Sequence, residues 1–128
     1  MNNAVIFTLT LVLVAISLTM NKSPIDEHIK PSITSGEGGL WVMVALDEKR
    51  FRDEEDIALV DRLIEHLEGN GLAELDGESS GAGAMDVSFY SPSVKKAAIE
   101  AANFLNRNYP DLRYFISDEY EVLFEEHD

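Results

Sequence analysis

Residues Leu72–Tyr90 have the sequence LAELDGESSGAGAMDVSFY, which predicts a β-hairpin in the middle of the fold. The first arm, Leu72–Leu75, is apolar at every second position. In the second arm, Met85–Tyr90, apolar and more polar residues alternate, which is the period-two pattern of a strand with one buried face. The acidic segment 76–83 contains three glycines, which readily adopt positive φ. We predict that this segment forms the loop of the hairpin.

Two further elements are predicted before the hairpin. Leu40–Leu46 is a continuous apolar run between glycines and acidic residues, and it predicts a central strand that is buried on both faces. Asp53–Glu68 has apolar residues at helical spacing and acidic residues in its first turn, and a Gly-Asn-Gly sequence follows it. This second pattern predicts a helix.

A second helix and more strands are predicted after the hairpin. Ser91 is expected to be the N-cap and Pro92 the first residue of a helix that runs to about Asn108. The apolar face of this helix is rich in alanine, which allows a helix to lie close to a sheet. The β-prone segment Arg113–Ser117 predicts a fourth strand, and Glu121–Phe124 predicts a short fifth one.

The order strand, helix, hairpin, helix, strand predicts an α+β fold of the ferredoxin-like, split βαβ type over residues 40–128. In this arrangement both helices pack on one face of an antiparallel sheet, and the other face is open. The open face conflicts with a first strand that is buried on both sides. We therefore expect either the N-terminal arm of the chain or a second chain to cover that face.

The N-terminal segment differs in composition from the rest of the chain. Ala4–Leu18 is almost wholly apolar, which suits the core of a signal peptide and is short for a membrane span of roughly 20 residues. Residues 1–20 are therefore predicted to be a signal peptide or an uncleaved membrane anchor, which makes the protein exported, periplasmic or membrane-anchored. Translation from Met20 would leave it cytoplasmic. Residues 21–39 contain two prolines and three glycines and predict a linker or extended arm.

The charge of the chain narrows the classes of partner. There are 24 acidic and 10 basic residues, which gives a formal net charge of −14, and no charged residue lies in the first twenty. Such a charge repels nucleic acid and anionic lipid, and it attracts basic proteins within a Debye length of about 8–10 Å. We therefore predict no nucleic-acid partner and membrane contact only through residues 4–18. The chain has no cysteine, which excludes disulfides and cysteine-based metal sites.

No motif for catalysis or for a cofactor is present in the sequence. The glycine-rich segment 76–83 lacks a lysine or arginine, which argues against phosphate binding. Asp76, Glu78 and Asp86 offer the oxygen ligands that calcium prefers, but their spacing does not match a twelve-residue calcium loop. The three histidines are scattered along the chain, and we expect His28 and His66 to be solvated. We predict no catalytic residue, cofactor or metal.

The acidic residues that follow the predicted strands, together with one aromatic residue, are the candidate partner-binding residues. They are Asp47, Glu48, Asp76, Glu78, Asp86, Tyr90 and Glu119. An acidic face that carries aromatic side chains is suited to a basic partner, because complementary charge speeds association and aromatic rings anchor the complex. The alternative is that the acids form only a solvated exterior that resists aggregation.

The sequence ELDGESSGAGAMDVSFYS at 74–91, followed by the alanine-rich helix, resembles a pattern in small bacterial α/β proteins. Some of those proteins are similar to immunity proteins of toxin systems. The resemblance implies a non-enzymatic inhibitor that binds its toxin tightly and one to one, and that is exported when the toxin acts outside the cytoplasm. Together with the acidic charge, it predicts a basic protein partner, such as a toxin. It carries no functional residue over to this chain. Two alternatives are a ligand-sensing or regulatory module that forms a homodimer through its sheet, and a small hydrolase with an acid pair.

Overall fold

The computed structural model describes residues 27–46, 52–81 and 83–120. The elements of these residues are β1 (Gly38–Ala45), α1 (Glu54–Gly69), β2 (Glu74–Gly81), β3 (Ala84–Ser91), α2 (Val94–Asn108) and β4 (Tyr114–Ser117). The strands form one antiparallel sheet in the order β2-β3-β1-β4. Element order and sheet topology are those of a ferredoxin-like α+β fold, so the predicted fold class is confirmed.

The hydrophobic core lies between the sheet and the two helices. Leu40, Val42 and Val44 of β1 and the apolar stripe of α1 are buried in one cluster. The alanines of α2 belong to the same cluster and are fully buried; they are Ala97, Ala98, Ala101 and Ala102. Small side chains let the α2 backbone approach the sheet, as the alanine-rich face predicts.

The other face of β1 is also largely closed. Met43 is 4 % exposed and Ala45 is 6 % exposed, although both lie on the face of the sheet away from the helices. The prediction that β1 is buried on both faces is confirmed at these two positions. Trp41, the third residue of this face, is half-buried, and its ring lies over Gly39.

The described part of the N-terminal arm runs along the β4 edge of the sheet. Ile29 forms a parallel bridge with Ile116, and the Lys30 N–H donates to the Ile116 carbonyl at 2.8 Å. Ile29 and Ile33 pack against the core on the helix side. The described part of the arm therefore does not cover the open face of the sheet.

The prediction of a loop at 76–83 is wrong, because most of this segment belongs to a strand. β2 extends from Glu74 to Gly81 and stays paired with β3, with a bulge between Leu75 and Gly77. The chain reverses only near Gly83, whose φ of 80° lies in the left-handed region that glycine tolerates. β2 is an edge strand with mostly exposed side chains, so it needs no alternation of apolar residues to form.

The helix starts also differ from the predictions. Asp53 is the N-cap of α1 and not its first helical residue, and it forms a reciprocal capping box with Asp56. Ser91 is the last residue of β3, and Ser93 is the N-cap of α2. The buried Ser91 hydroxyl donates to the Leu72 carbonyl at 2.6 Å and accepts from the Ser93 N–H at 3.1 Å. These two hydrogen bonds use the donor and an acceptor site of the Ser91 hydroxyl within the core, so this hydroxyl does not cap the helix as predicted.

Several predictions fall outside the described residues. These are the signal peptide or anchor at 1–20 and the short fifth strand at Glu121–Phe124. The remaining boundaries shift little, since β1 begins two residues before Leu40 and β4 begins one residue after Arg113. Within the described ranges, no helix has the length and apolar character needed to span a membrane.

Candidate functional site

The predicted partner-binding residues do not form one cluster. Asp47 and Glu48 lie outside the described residues. Four of the others lie on the β2–β3 hairpin; they are Asp76, Glu78, Asp86 and Tyr90. Glu119 follows β4, which is the opposite edge of the sheet.

Glu119 holds the N-terminal arm against the sheet. The Lys30 ammonium lies 2.9 Å from Glu119 Oε1 and 3.0 Å from Asp118 Oδ1. These bonds raise the pKa of Lys30. Burial alone would raise the pKa of Asp118, but hydrogen bonds from Lys30 and from the Thr34 N–H outweigh it and lower that pKa. Glu119 therefore forms an ion pair with the arm, while its side chain stays 64 % exposed.

Glu78 and Asp86 lie on opposite faces of the hairpin. Glu78 is paired in register with Val87, a core residue of the helix side, and its carboxylate lies 3.3 Å from Arg52 Nη1. Asp86 lies on the other face and accepts a hydrogen bond from Ser79 Oγ at 2.7 Å. The acids that could have bound calcium therefore do not converge. Within the described residues, no three potential metal ligands lie together.

A cleft of about 560 Å³ opens where α1 ends and β2 begins. We call it the Tyr90 cleft, and it is lined by Glu68, Gly71, Ala73, Glu74, Leu75, Tyr90 and Pro92. Of the predicted site residues that the structure describes, only Tyr90 lines it. Asp76 adjoins it, because it lies in the bulge that follows Leu75.

Local backbone geometry places both Glu68 and Glu74 in the lining of the cleft. Glu68 lies in the last turn of α1, and Gly71, with φ of 68°, allows the chain to turn from the helix into β2. Glu68 Oε2 then accepts a hydrogen bond from the Leu75 N–H at 3.0 Å. Glu74 is the register partner of Tyr90 across β2 and β3, so its carboxylate lies on the same face as the phenol ring.

Tyr90 is the aromatic centre of this region. Its side chain is 47 % exposed, and its hydroxyl donates to Glu37 Oε2 at 2.6 Å. The pKa of Tyr90 is raised by this hydrogen bond, by partial desolvation and by the negative charges of Glu37 and Glu74. Two carboxylates, those of Glu37 and Glu74, thus act on one accessible ring.

The chemistry of the cleft suits a cation on an aliphatic stem. Leu75, 38 % exposed, and Pro92 provide apolar surface beside the Tyr90 ring. Lysine and arginine bury their methylene stems on such surfaces and keep the charged group near acceptors. Glu68 and Glu74 supply the acceptors.

Sequence reasoning missed Glu37, Glu68 and Glu74. The signal at Glu68 was present, because an acid in the last turn of a helix opposes the helix dipole and is unfavourable without a local partner. That partner is the Leu75 N–H. Nothing local in the sequence brings Glu37 to Tyr90, because the two are 53 positions apart.

The two histidines within the described ranges are not solvated as predicted. The His28 ring stacks on Tyr114 with centroids 4.0 Å apart, and its Nδ1 lies 2.9 Å from the Tyr114 carbonyl oxygen. The His66 ring stacks on Phe104 at 4.9 Å, and its Nε2 lies 3.7 Å from Glu100. Both are half-buried, which corrects the prediction.

In comparisons with protein-family models, curated proteins and solved structures, the chain matches none. The resemblance of the hairpin to toxin-immunity proteins therefore stays a prediction.

Proposed function

We propose that this protein is a non-enzymatic binding protein that inhibits a basic protein partner through the Tyr90 cleft. The observation that carries the proposal is the composition of the cleft. It holds Glu68 and Glu74 beside the exposed Tyr90 ring, and its described lining contains no lysine, arginine or histidine.

Some carboxylates of the described residues meet cations, and others accept from neutral donors. Asp118 and Glu119 meet Lys30, and Glu78 meets Arg52, whereas Asp86 accepts from the Ser79 hydroxyl. Glu37 and Glu68 accept from the neutral Tyr90 hydroxyl and the Leu75 N–H. A neutral donor orients a carboxylate without cancelling its charge. This region therefore keeps its attraction for an incoming cation.

A lysine or arginine of the partner fits the cleft in both shape and charge. Its stem would lie on Leu75 and Pro92, and its head group would lie between Glu68 and Glu74, beside the Tyr90 ring. A cation over an aromatic face contributes about 0.5–2 kcal/mol, depending on how far it is desolvated. The net charge of −14 would steer a basic protein towards the site and make association sensitive to salt.

The class of partner follows from the same features. An acidic protein of this size inhibits a basic protein by covering its cationic surface, and the resemblance of the hairpin to immunity proteins favours a bacterial toxin as that protein. In this proposal the leader at 1–20 exports the inhibitor to the compartment where the toxin acts.

Neutralising the cleft tests this proposal. The variant Glu68→Gln/Glu74→Gln keeps side-chain size and hydrogen-bond acceptors, so the fold should persist. The matched control is Asp61→Asn/Asp111→Asn, which removes two exposed acids away from the cleft. A partner captured on the full chain at low salt is identified by mass spectrometry, and its affinity for each variant is measured by calorimetry. We expect the cleft variant to bind at least about tenfold more weakly, equivalent to roughly 1.4 kcal/mol, and the control to bind like the parent. Equal losses in the two variants would overturn the cleft as the binding site.

The two alternatives stay predictions. Glu74 and Asp86 lie on the open sheet face, so a homodimer through that face would add negative charge from both copies to its interface. Sedimentation over a range of concentrations would detect such a dimer. A hydrolase would show turnover that is lost when its acid pair is substituted.

A further inference from the structure

We infer that β2 accepts an extended, lysine- or arginine-bearing segment of the basic partner as an additional strand of the sheet. This inference rests on the proposed function and adds the mode of binding to it. In this mode, backbone hydrogen bonds contribute affinity and the side chains of the segment contribute specificity.

The first step is that β2 is the outer strand of the sheet that the described residues form. β4, at the other edge, is bordered by the bridge between Ile29 and Ile116. In the described part of the chain no strand lies beyond β2, and all of its residues except Gly77 and Gly81 are exposed. Every second backbone N–H and C=O of an edge strand points away from the sheet. Eight residues offer about 26 Å of such an edge, enough for a docked peptide.

The second step is the charge of this edge. Glu74, Asp76 and Glu78 lie within five consecutive residues of β2. Arg52 meets Glu78 at 3.3 Å, and the described residues place no cation beside the other two. Glu74 lies on the Tyr90 face of β2 and Glu78 on the helix side, so a basic side chain on either face of an added strand would meet a carboxylate.

The third step excludes a second copy of this chain as the occupant. Two β2 strands paired edge to edge would place the acids of one copy against those of the other. Like charges across neighbouring strands destabilise the pairing. The same acids that exclude self-association thus select a basic occupant.

The fourth step links the edge to the Tyr90 cleft. The register of β2 with β3 is regular from Gly77 to Gly81, and the bulge lies between Leu75 and Gly77. The Leu75 N–H is already bonded to Glu68. An added strand would therefore pair along 77–81 and reach the cleft at its end, where a basic side chain can lie between Glu68 and Glu74.

Backbone methylation of a peptide probe tests strand addition separately from charge recognition. The probe is a fluorescent peptide of about ten residues, roughly 33 Å when extended, in which lysine and threonine alternate. Its counterpart has the same side chains, but every second backbone nitrogen is methylated and cannot donate. Binding of the two peptides to the full chain is measured by fluorescence anisotropy at low salt. Hydrogen exchange then measures how far the bound peptide protects the backbone amides of each strand.

We expect the methylated peptide to bind at least about tenfold more weakly, and the β2 amides to gain protection while those of β4 do not. A glutamate-for-lysine version of the probe should not bind.

Asp76→Asn should weaken binding of the unmodified probe, and Asp111→Asn should not. Equal affinities for the two lysine peptides would overturn strand addition and leave recognition of basic side chains intact. If neither lysine peptide bound, the proposed function would fall as well.

Discussion

Tyr90 Oη and Glu37 Oε2 lie 2.6 Å apart, which joins the end of β3 to the residue that precedes β1. The bond fixes the direction of the exposed ring and holds a carboxylate close to it. An aromatic anchor of a binding site gains from such positioning, because less side-chain freedom is lost when the partner docks.

The first prediction concerns the ionisation of Tyr90. Glu37→Gln removes the charge that raises the pKa of Tyr90, so the phenol should titrate at lower pH than in the parent. NMR titration of the ring signals measures this shift. The pKa of Tyr90 is higher in the folded protein than in the unfolded chain, so the hydrogen bond to Glu37 stabilises the fold at pH values below the ordinary tyrosine pKa. This contribution is lost as the pH rises through the pKa of Tyr90 in the folded protein. An unchanged Tyr90 titration in Glu37→Gln would contradict the assignment.

The second prediction concerns Tyr114, which stacks on His28 and is buried. Burial raises its pKa to about 12, and its hydroxyl donates a 2.7 Å hydrogen bond to Asn106 Oδ1. Its protonated form should therefore stabilise the fold up to about pH 10, and this contribution should be lost between about pH 10 and 12. Tyr114→Phe should lower the free energy of unfolding by about 1 kcal/mol at neutral pH. It should also make the free energy of unfolding fall less between about pH 10 and 12. Urea unfolding across this pH range measures both effects.

The third prediction concerns the close approach of α2 to the sheet. Ala98 is fully buried, so Ala98→Leu should lower the free energy of unfolding by about 1–3 kcal/mol through overpacking. Lys96→Leu adds a similar side chain at an exposed position of the same helix and is the control. If the two variants unfolded at the same urea concentration, the close packing of α2 would be wrong.

The fourth prediction concerns the stacking of Trp41 over Gly39. A Cβ atom at position 39 would lie 2.7 Å and 2.8 Å from two atoms of the indole ring, so Gly39→Ala should displace the ring. Trp41 is the only tryptophan of the chain, and its fluorescence should shift accordingly. Gly69→Ala, where a Cβ would meet nothing within 4 Å, should leave the spectrum unchanged. Identical spectra for parent and Gly39→Ala would contradict this arrangement.

The elements that bury apolar surface could be predicted from the sequence. The continuous apolar run predicts β1 and the alanine stripe predicts α2, because buried positions require apolar or small residues. β2 could not be predicted over its full length. Its exposed side chains are free to be Glu, Asp, Ser and Gly, and its pairing with β3 is carried by the backbone.

The candidate site could be predicted only in part. The sequence predicts Tyr90 from its place in an alternating strand and Asp76 from its place in the acidic segment. Glu37 and Glu68 come from other elements and meet the hairpin only after the chain folds. Their partners are a hydroxyl and a backbone N–H, which leave no pattern in the sequence. Glu78 and Glu119 were predicted as binding residues but are partly committed to ion pairs.

The most direct test of the account is to locate a bound lysine peptide on the full chain by NMR titration. The account predicts that the largest shift changes occur at Glu68, Glu74 and Tyr90 and continue along β2, and that they diminish as salt is added. Changes concentrated at Asp118 and Glu119, or spread evenly over all exposed acids, would contradict the assignment of the Tyr90 cleft as the binding site.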